Sequence, residues 1–226
     1  NWAAQGIAKF GDILRKVTNN LEELSYDIIS NLVKYTGSNQ GGMYIVNDND
    51  PDNIFIEMKA SYAFDRRKYI TRRIEVGEGL VGRCYQEKEK IYLTDIPIDY
   101  MKITSGLGED SPRALLIVPL IYNDIIYGLI EIASFNPYPP HVIEFIERVG
   151  ESIAATISSA KANIQTALLL EQSQQQAEEM VSQEEEMRQN MEELRATQEQ
   201  SARREEELQQ EVNELKKRIK EISTCL

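Results

Sequence analysis

The chain has 226 residues, a formal net charge of −12 and 42% hydrophobic residues, enough for one compact domain plus an extended element and too acidic for nucleic acid as a partner. Its two cysteines, Cys84 and Cys225, are far apart and lack metal-ligand spacing, which excludes a disulfide framework and leaves no metal or cofactor site to expect. No apolar run approaches the ~18 residues that cross a bilayer and no signal peptide opens the chain, so no membrane contact is expected of a segment that reads as a piece of a longer protein.

Ile7, Phe10, Leu14, Val17, Leu21, Leu24, Ile28 and Tyr35 alternate steps of three and four, and Gly37 stands where a helix stops. The first element is therefore expected to be one long helix over residues 1–36. Its heptad stripe meets another helix, and its second edge, Ile13, Ile29, Leu32 and Val33, covers a sheet. Met43 to Val46 read as a strand, Asn47 to Asn53 as a hairpin turn and Ile54 to Tyr62 as the return strand. Gly77-Glu78-Gly79-Leu80-Val81-Gly82 lacks the spacing and lysine of a phosphate loop and turns instead into a short helix, Gly79 to Glu87.

Ile91 to Asp95 is a strand, and Ile98 to Arg113 a polar loop. Ala114 to Ile121 and Ile125 to Ser134 form a hairpin closed at Asn123-Asp124. In its second strand alternation sends Ile126, Gly128, Ile130 and Ile132 to one face and Tyr127, Leu129, Glu131 and Ala133 to the other. The first face needs a helical cover; the second carries a phenol and a carboxylate. A helix then starts near Pro140 and continues without a break signal. All seven prolines and all aromatic residues precede Gly150. Beyond it, Met180, Met187, Leu194, Leu208, Leu215 and Ile222 mark one heptad position and Ala177, Met191, Val212, Ile219 and Leu226 another. That is the seam of a parallel two-stranded coiled coil, so the chain is expected to be a parallel homodimer.

This order of elements resembles a GAF domain over roughly Leu21 to Ile164, most specifically at Gly77 to Gly82, Thr94 to Pro97, Val118-Pro119-Leu120 and Gly128 to Glu131. Trp2 to Arg15, Asn39 to Gly42 and Gln183 to Gln189 are similar to the GAF-plus-helix segment of bacterial, Bacteroidetes-like, membrane-anchored signalling proteins related to histidine kinases. The resemblance implies an α+β fold, an antiparallel sheet of five or six strands with the terminal helices on one face and a small-molecule pocket on the other. It divides the chain into a signalling helix (1–36), a GAF domain (37–150) and a helix with coiled coil (151–226). The candidate pocket residues are Arg83, Cys84, Tyr100, Ser105, Arg113, Tyr127 and Glu131, with Glu131 salt-bridged to Arg83 or Arg113 where no ligand binds.

Several ligands of the family do not fit. Cys84 is followed by Tyr85 rather than the histidine common beside bilin-bearing cysteines, and the lone histidine, His141, sits at a helix start rather than where haem needs a ligand. The cyclic-nucleotide pattern Asn-Lys-Phe-Asp-Glu is absent, as is a phosphoacceptor histidine box. The function expected is a non-enzymatic cytoplasmic sensor or relay for an unidentified small molecule; the alternatives are a redox enzyme built on Cys84 and a structural spacer with an empty pocket.

Overall fold

The structure, a computed structural model, describes residues 1–15, 20–63, 66–68, 72–96, 103–105, 108–110 and 112–224, with backbone alone at 66–68, 103–105, 108–110 and 219–224. Tyr100 and Cys225 lie outside the described residues, and of Ser105 only the backbone is described.

Where one long helix was expected there are two, α1 (Trp2–Leu14) and α2 (Leu21–Thr36). Asn20 is the reason α2 starts afresh. Its backbone is extended, and its side-chain oxygen accepts from the amides of Glu22 (3.0 Å) and Glu23 (3.2 Å), which would be orphaned at a helix start; two carboxylates in the first turn suit the same end. Gly37, at φ 69°, closes α2 in the left-handed conformation. The heptad stripe is spent inside the domain: Phe10, Leu24 and Ile28 join Ile13, Ile29, Leu32 and Val33 in one buried cluster. Ile7 stays exposed.

The strands are β1 (Gln40–Asn47), β2 (Phe55–Ala63), β3 (Arg66–Lys68), β4 (Arg73–Glu75), β5 (Ile91–Leu93), β6 (Ile103–Ser105), β7 (Gly108–Asp110), β8 (Ala114–Tyr122) and β9 (Ile125–Ser134). The main sheet has the order β3-β2-β1-β9-β8-β5, with β4 beside the first half of β2. Its described pairings are antiparallel, the α+β arrangement expected. β6 and β7 pair as a separate small hairpin within the stretch read as loop. Asn123 and Asp124 both take positive φ, 50° and 63°, as a two-residue turn whose twist matches its strands requires.

One face of the sheet, bearing Met43, Ile45, Leu116, Val118, Leu120, Ile130 and Ile132, is covered by α1, α2 and the start of α4 (Pro140–Thr224). From α4 come Val142, Phe145, Ile146, Val149, Ile153 and Ile157. Each such side chain, fully withdrawn from water, contributes about 1.5–3 kcal/mol. The other face carries Tyr44, Val46, Leu115, Ile117, Leu129 and Ala133 beneath α3 (Gly79–Glu87), whose bounds match the expected short helix. The compact unit runs from Asn1 to Thr166; residues 167–226 form a second unit, whose described residues lie in α4.

Candidate functional site

The face under α3 is where the sequence placed a pocket, and the register of the sheet decides which residues share that face. Glu131 sits opposite Gly42 of β1 and Ile117 of β8, and Gly42 in turn sits opposite Ser61 of β2. These positions form one row across four strands. Glu131 shares its face with Leu129 and Ala133 and is 3% exposed, so it is a carboxylate drawn into an apolar layer. A charge there is costly unless it is engaged, and Glu131 does make an interaction within the protein. Because Gly42 has no side chain, the Tyr44 ring lies over it: a Cβ at that position would be 3.2 Å from the ring and 3.5 Å from the phenol oxygen. The register therefore sets a carboxylate, a phenol and the hydroxyl of Ser61 on one face of the sheet, the face whose apolar cluster also takes in Val81 and Cys84 of α3. A carboxylate accepts hydrogen bonds, whereas a phenol and a hydroxyl both donate and accept them.

Tyr44 and Ser61 escaped the sequence reading. The signal that would have found Tyr44 is Gly42, which leaves an opening that the Tyr44 ring and Met58 fill.

The remaining expected residues are placed differently. Tyr127 packs against the cluster under the terminal helices, while Ile126 joins the cluster under α3, the reverse of the expected alternation. The cause is a bulge: Leu120 pairs with Gly128 but Ile121 with Ile126, so Tyr127 is an extra residue and everything before it changes face. Arg83 is exposed and pairs with Glu87 one turn along α3, Nε to Oε1 at 2.8 Å. Arg113 is also exposed. The alternation that orders a strand says nothing of where a long cation on a helix will turn.

Cys84 does face the cluster, with no exposed surface, and its Sγ–H donates to the Glu89 carbonyl oxygen at 3.1 Å. Burial, and then the Glu87 carboxylate, push its thiol from 9.0 up to about 12. A nucleophilic or redox thiol needs the opposite shift. The thiol is neutral in the folded protein until far above the pH at which it ionises in the unfolded chain. Its contribution to stability is therefore complete below pH 9 and is lost as pH rises from 9 towards 12. At pH 10 the loss relative to Cys84→Ala should be on the order of 1 kcal/mol, measured by urea unfolding of both proteins from pH 7 to 10. In the same protein N-ethylmaleimide at pH 8 should leave Cys84 unmodified until the fold is denatured; rapid labelling in the native state would contradict the buried placement.

Among the described residues no cluster of His, Cys, Asp and Glu could hold a metal ion, and no helix is long and apolar enough to cross a membrane. The family model of the GAF domain matches residues 18–158, more than half the chain. The chain belongs to the GAF domain family.

Solved structures agree on the fold. The GAF domain of a phosphoenolpyruvate-protein phosphotransferase from Coxiella burnetii superposes with a TM-score of 0.57 at 18% identity, over 71% of this chain and 95% of that one. The GAF domain of the corresponding Acinetobacter protein gives 0.56 at 14% identity, over 72% and 96%. A free methionine-R-sulfoxide reductase from Neisseria meningitidis, solved with its substrate, gives 0.54 at 13% identity, over 70% and 89%. The fold is thus similar to that of both a phosphotransferase GAF domain and an enzyme. A search of curated proteins finds no match.

Proposed function

We propose that this GAF domain is a non-enzymatic sensor or relay that works as a parallel homodimer, the cytoplasmic part of a membrane-anchored, histidine-kinase-related signalling protein. The observation that carries the reading is the second unit of the chain. There Met180, Met187, Met191, Leu194, Leu208, Val212 and Leu215, the residues of the heptad seam, are all exposed in the single chain. A helix with such a stripe is stabilised by a second copy, and Val212 and Ile219 at one position with Leu208 and Leu215 at the other favour two parallel strands. α4 supplies both this stripe and, at its start, core side chains of the domain, so a change felt by the core acts on the helix that pairs. The buried polar set of Glu131, Tyr44 and Ser61 supports a small molecule with hydrogen-bonding groups as the stimulus. The neutral, buried Cys84 thiol weighs against the redox alternative.

The test is association. Sedimentation at micromolar concentration should give a dimer, and Leu215→Ala should weaken it by about 2 kcal/mol or more, roughly thirtyfold in dissociation constant. A monomeric chain, or a dimer indifferent to Leu215→Ala, defeats the reading. If the dimer holds but no metabolite in a thermal-shift screen stabilises the domain, the spacer alternative replaces the sensor.

A further inference from the structure

The two faces of the sheet meet at the end of β1. Val46 has its side chain in the cluster under α3, with Val81 and Cys84, while its carbonyl oxygen accepts a hydrogen bond from Lys161 Nζ of α4 at 3.1 Å. The same ammonium is ion-paired with the Asp48 carboxylate, two residues further on. Lys161 thus spends two of its three donors on the end of one strand. The position on α4 matters, because the compact unit ends five residues later at Thr166. Between these points Ile164 is half-buried and Ala162, Asn163, Gln165 and Thr166 are exposed, so apolar packing on this last stretch is thin. The Lys161 side chain is 21% exposed and that of Asp48 42%, so the fastening is shielded from solvent on the lysine side only.

Asp48 also bears on α3. Its charge reaches Tyr85 of α3, where it adds to burial in raising the phenol, and Tyr85 packs on the α3-side cluster. Beside the fastening lies a cavity of about 160 Å³, lined by Val46, Asn47, Asn49, Lys59 and Lys161 among others, which gives the ammonium room to leave its partners.

We propose that Lys161 is a clip: held by Val46 and Asp48, it makes the last turns of α4 in the globular unit report the packing of α3 on the opposite face of the sheet. This deepens the relay reading and rests on it, since it names the route by which the α3 side reaches the output helix. When the end of β1 shifts with α3, the carbonyl and carboxylate move together and the ammonium loses both or neither. A switch needs this all-or-none behaviour, which graded apolar contact does not supply.

The experiment is a double-mutant cycle on the full chain, read by hydrogen exchange of backbone amides 157–166 against 142–149 as internal reference. Lys161→Met keeps the stem and removes the charge; Tyr85→Ala disturbs α3 without touching α4. Lys161→Met should raise exchange over 157–166 about tenfold, the equivalent of one charge-assisted hydrogen bond, and leave 142–149 unchanged. Tyr85→Ala should raise the same amides severalfold in the wild-type background and add nothing once Lys161 is methionine. Lys161→Arg should restore the coupling. Should Tyr85→Ala lower the yield of folded protein, Tyr85→Leu, which keeps an apolar side chain but not the ring, replaces it with the same expected pattern. Additive effects, or amides 157–166 indifferent to either variant, overturn the clip. A dimer with additive effects leaves the relay standing without it, whereas a monomer in which the cycle still closes removes the relay and keeps the clip.

Discussion

Gly128→Ala should cost about 3 kcal/mol of stability, while Gly150→Ala should be neutral or stabilising by up to about 1 kcal/mol. Gly128 lies on β9 opposite Ile45 of β1, at the centre of the sheet, and a Cβ there would overlap the carbonyl oxygen of Tyr44. That oxygen belongs to the backbone of a central strand and cannot swing away, and the Ile45 and Leu120 side chains close the remaining space at 3.4 Å. Gly150 lies on α4, where a Cβ would stand 3.4 Å from Leu120 Cδ2, an ordinary contact, and alanine improves the helix. In a unit of this size 3 kcal/mol lowers the melting temperature by about 6–12 °C. Equal melting of both variants would mean that β1 and β9 are not neighbours in the register described.

Phe145→Ala should be comparably damaging, about 3–5 kcal/mol, and should change the light the protein emits. Phe145 is 1% exposed and its ring meets those of Trp2 at 4.8 Å, Tyr35 at 5.3 Å and Phe10 at 6.1 Å. Gly6 of α1 lies so close that a Cβ on it would stand 2.5 Å from the Phe145 ring. The Tyr35 hydroxyl donates to the Trp2 carbonyl at 2.5 Å, and His141 stands edge-on to the indole. α1 is therefore fastened to the start of α4 chiefly through one phenyl ring. Trp2 is the chain's single tryptophan, so its emission should move to the red in Phe145→Ala before the sheet unfolds in urea. An emission maximum unchanged from the wild type would separate α1 from this cluster.

What could be read in advance was local. Asn123-Asp124 demands a tight turn wherever it falls between apolar runs, and the Gly77 to Gly82 stretch turns the chain into α3 from its own residues alone. The break before α2 was also written in the chain, as Asn20 followed by Glu22 and Glu23, but a stripe continuing through Val17 and Leu21 outweighed it. Competition between a cap and a periodicity is settled by what each side packs against, and that is a tertiary matter. Tyr127 shows the limit more sharply. Alternation assumes one residue per partner, and a bulge of one residue reverses every face before it. Glu131 lies beyond the bulge and stayed on the face assigned to it. β3 and β4, Arg66–Lys68 and Arg73–Glu75, offer almost no apolar residue, and only the neighbouring β2 makes strands of them. The polar residues on the same face as Glu131 were invisible for a related reason, since Ser61 and Tyr44 come to share that face through pairing across strands and not through proximity in the chain.

The place of β1 also sets an order on synthesis. β1 and β2 leave the ribosome early and can pair at once across a short turn, but the other edge of β1 waits for β9, whose partners Gly128 to Ala133 are made about ninety residues later. Until then Met43 and Ile45 have neither their strand neighbour nor the first turns of α4 above them. The half-made sheet carries an open apolar edge for several seconds at ordinary elongation rates of about 5–20 residues per second. The β8–β9 hairpin, closed by its two-residue turn, is the piece that ends this interval, because β9 supplies the missing neighbour of β1. A nascent chain halted before Ile125 should therefore be a client for chaperones, and one released past Ile157 a folded domain.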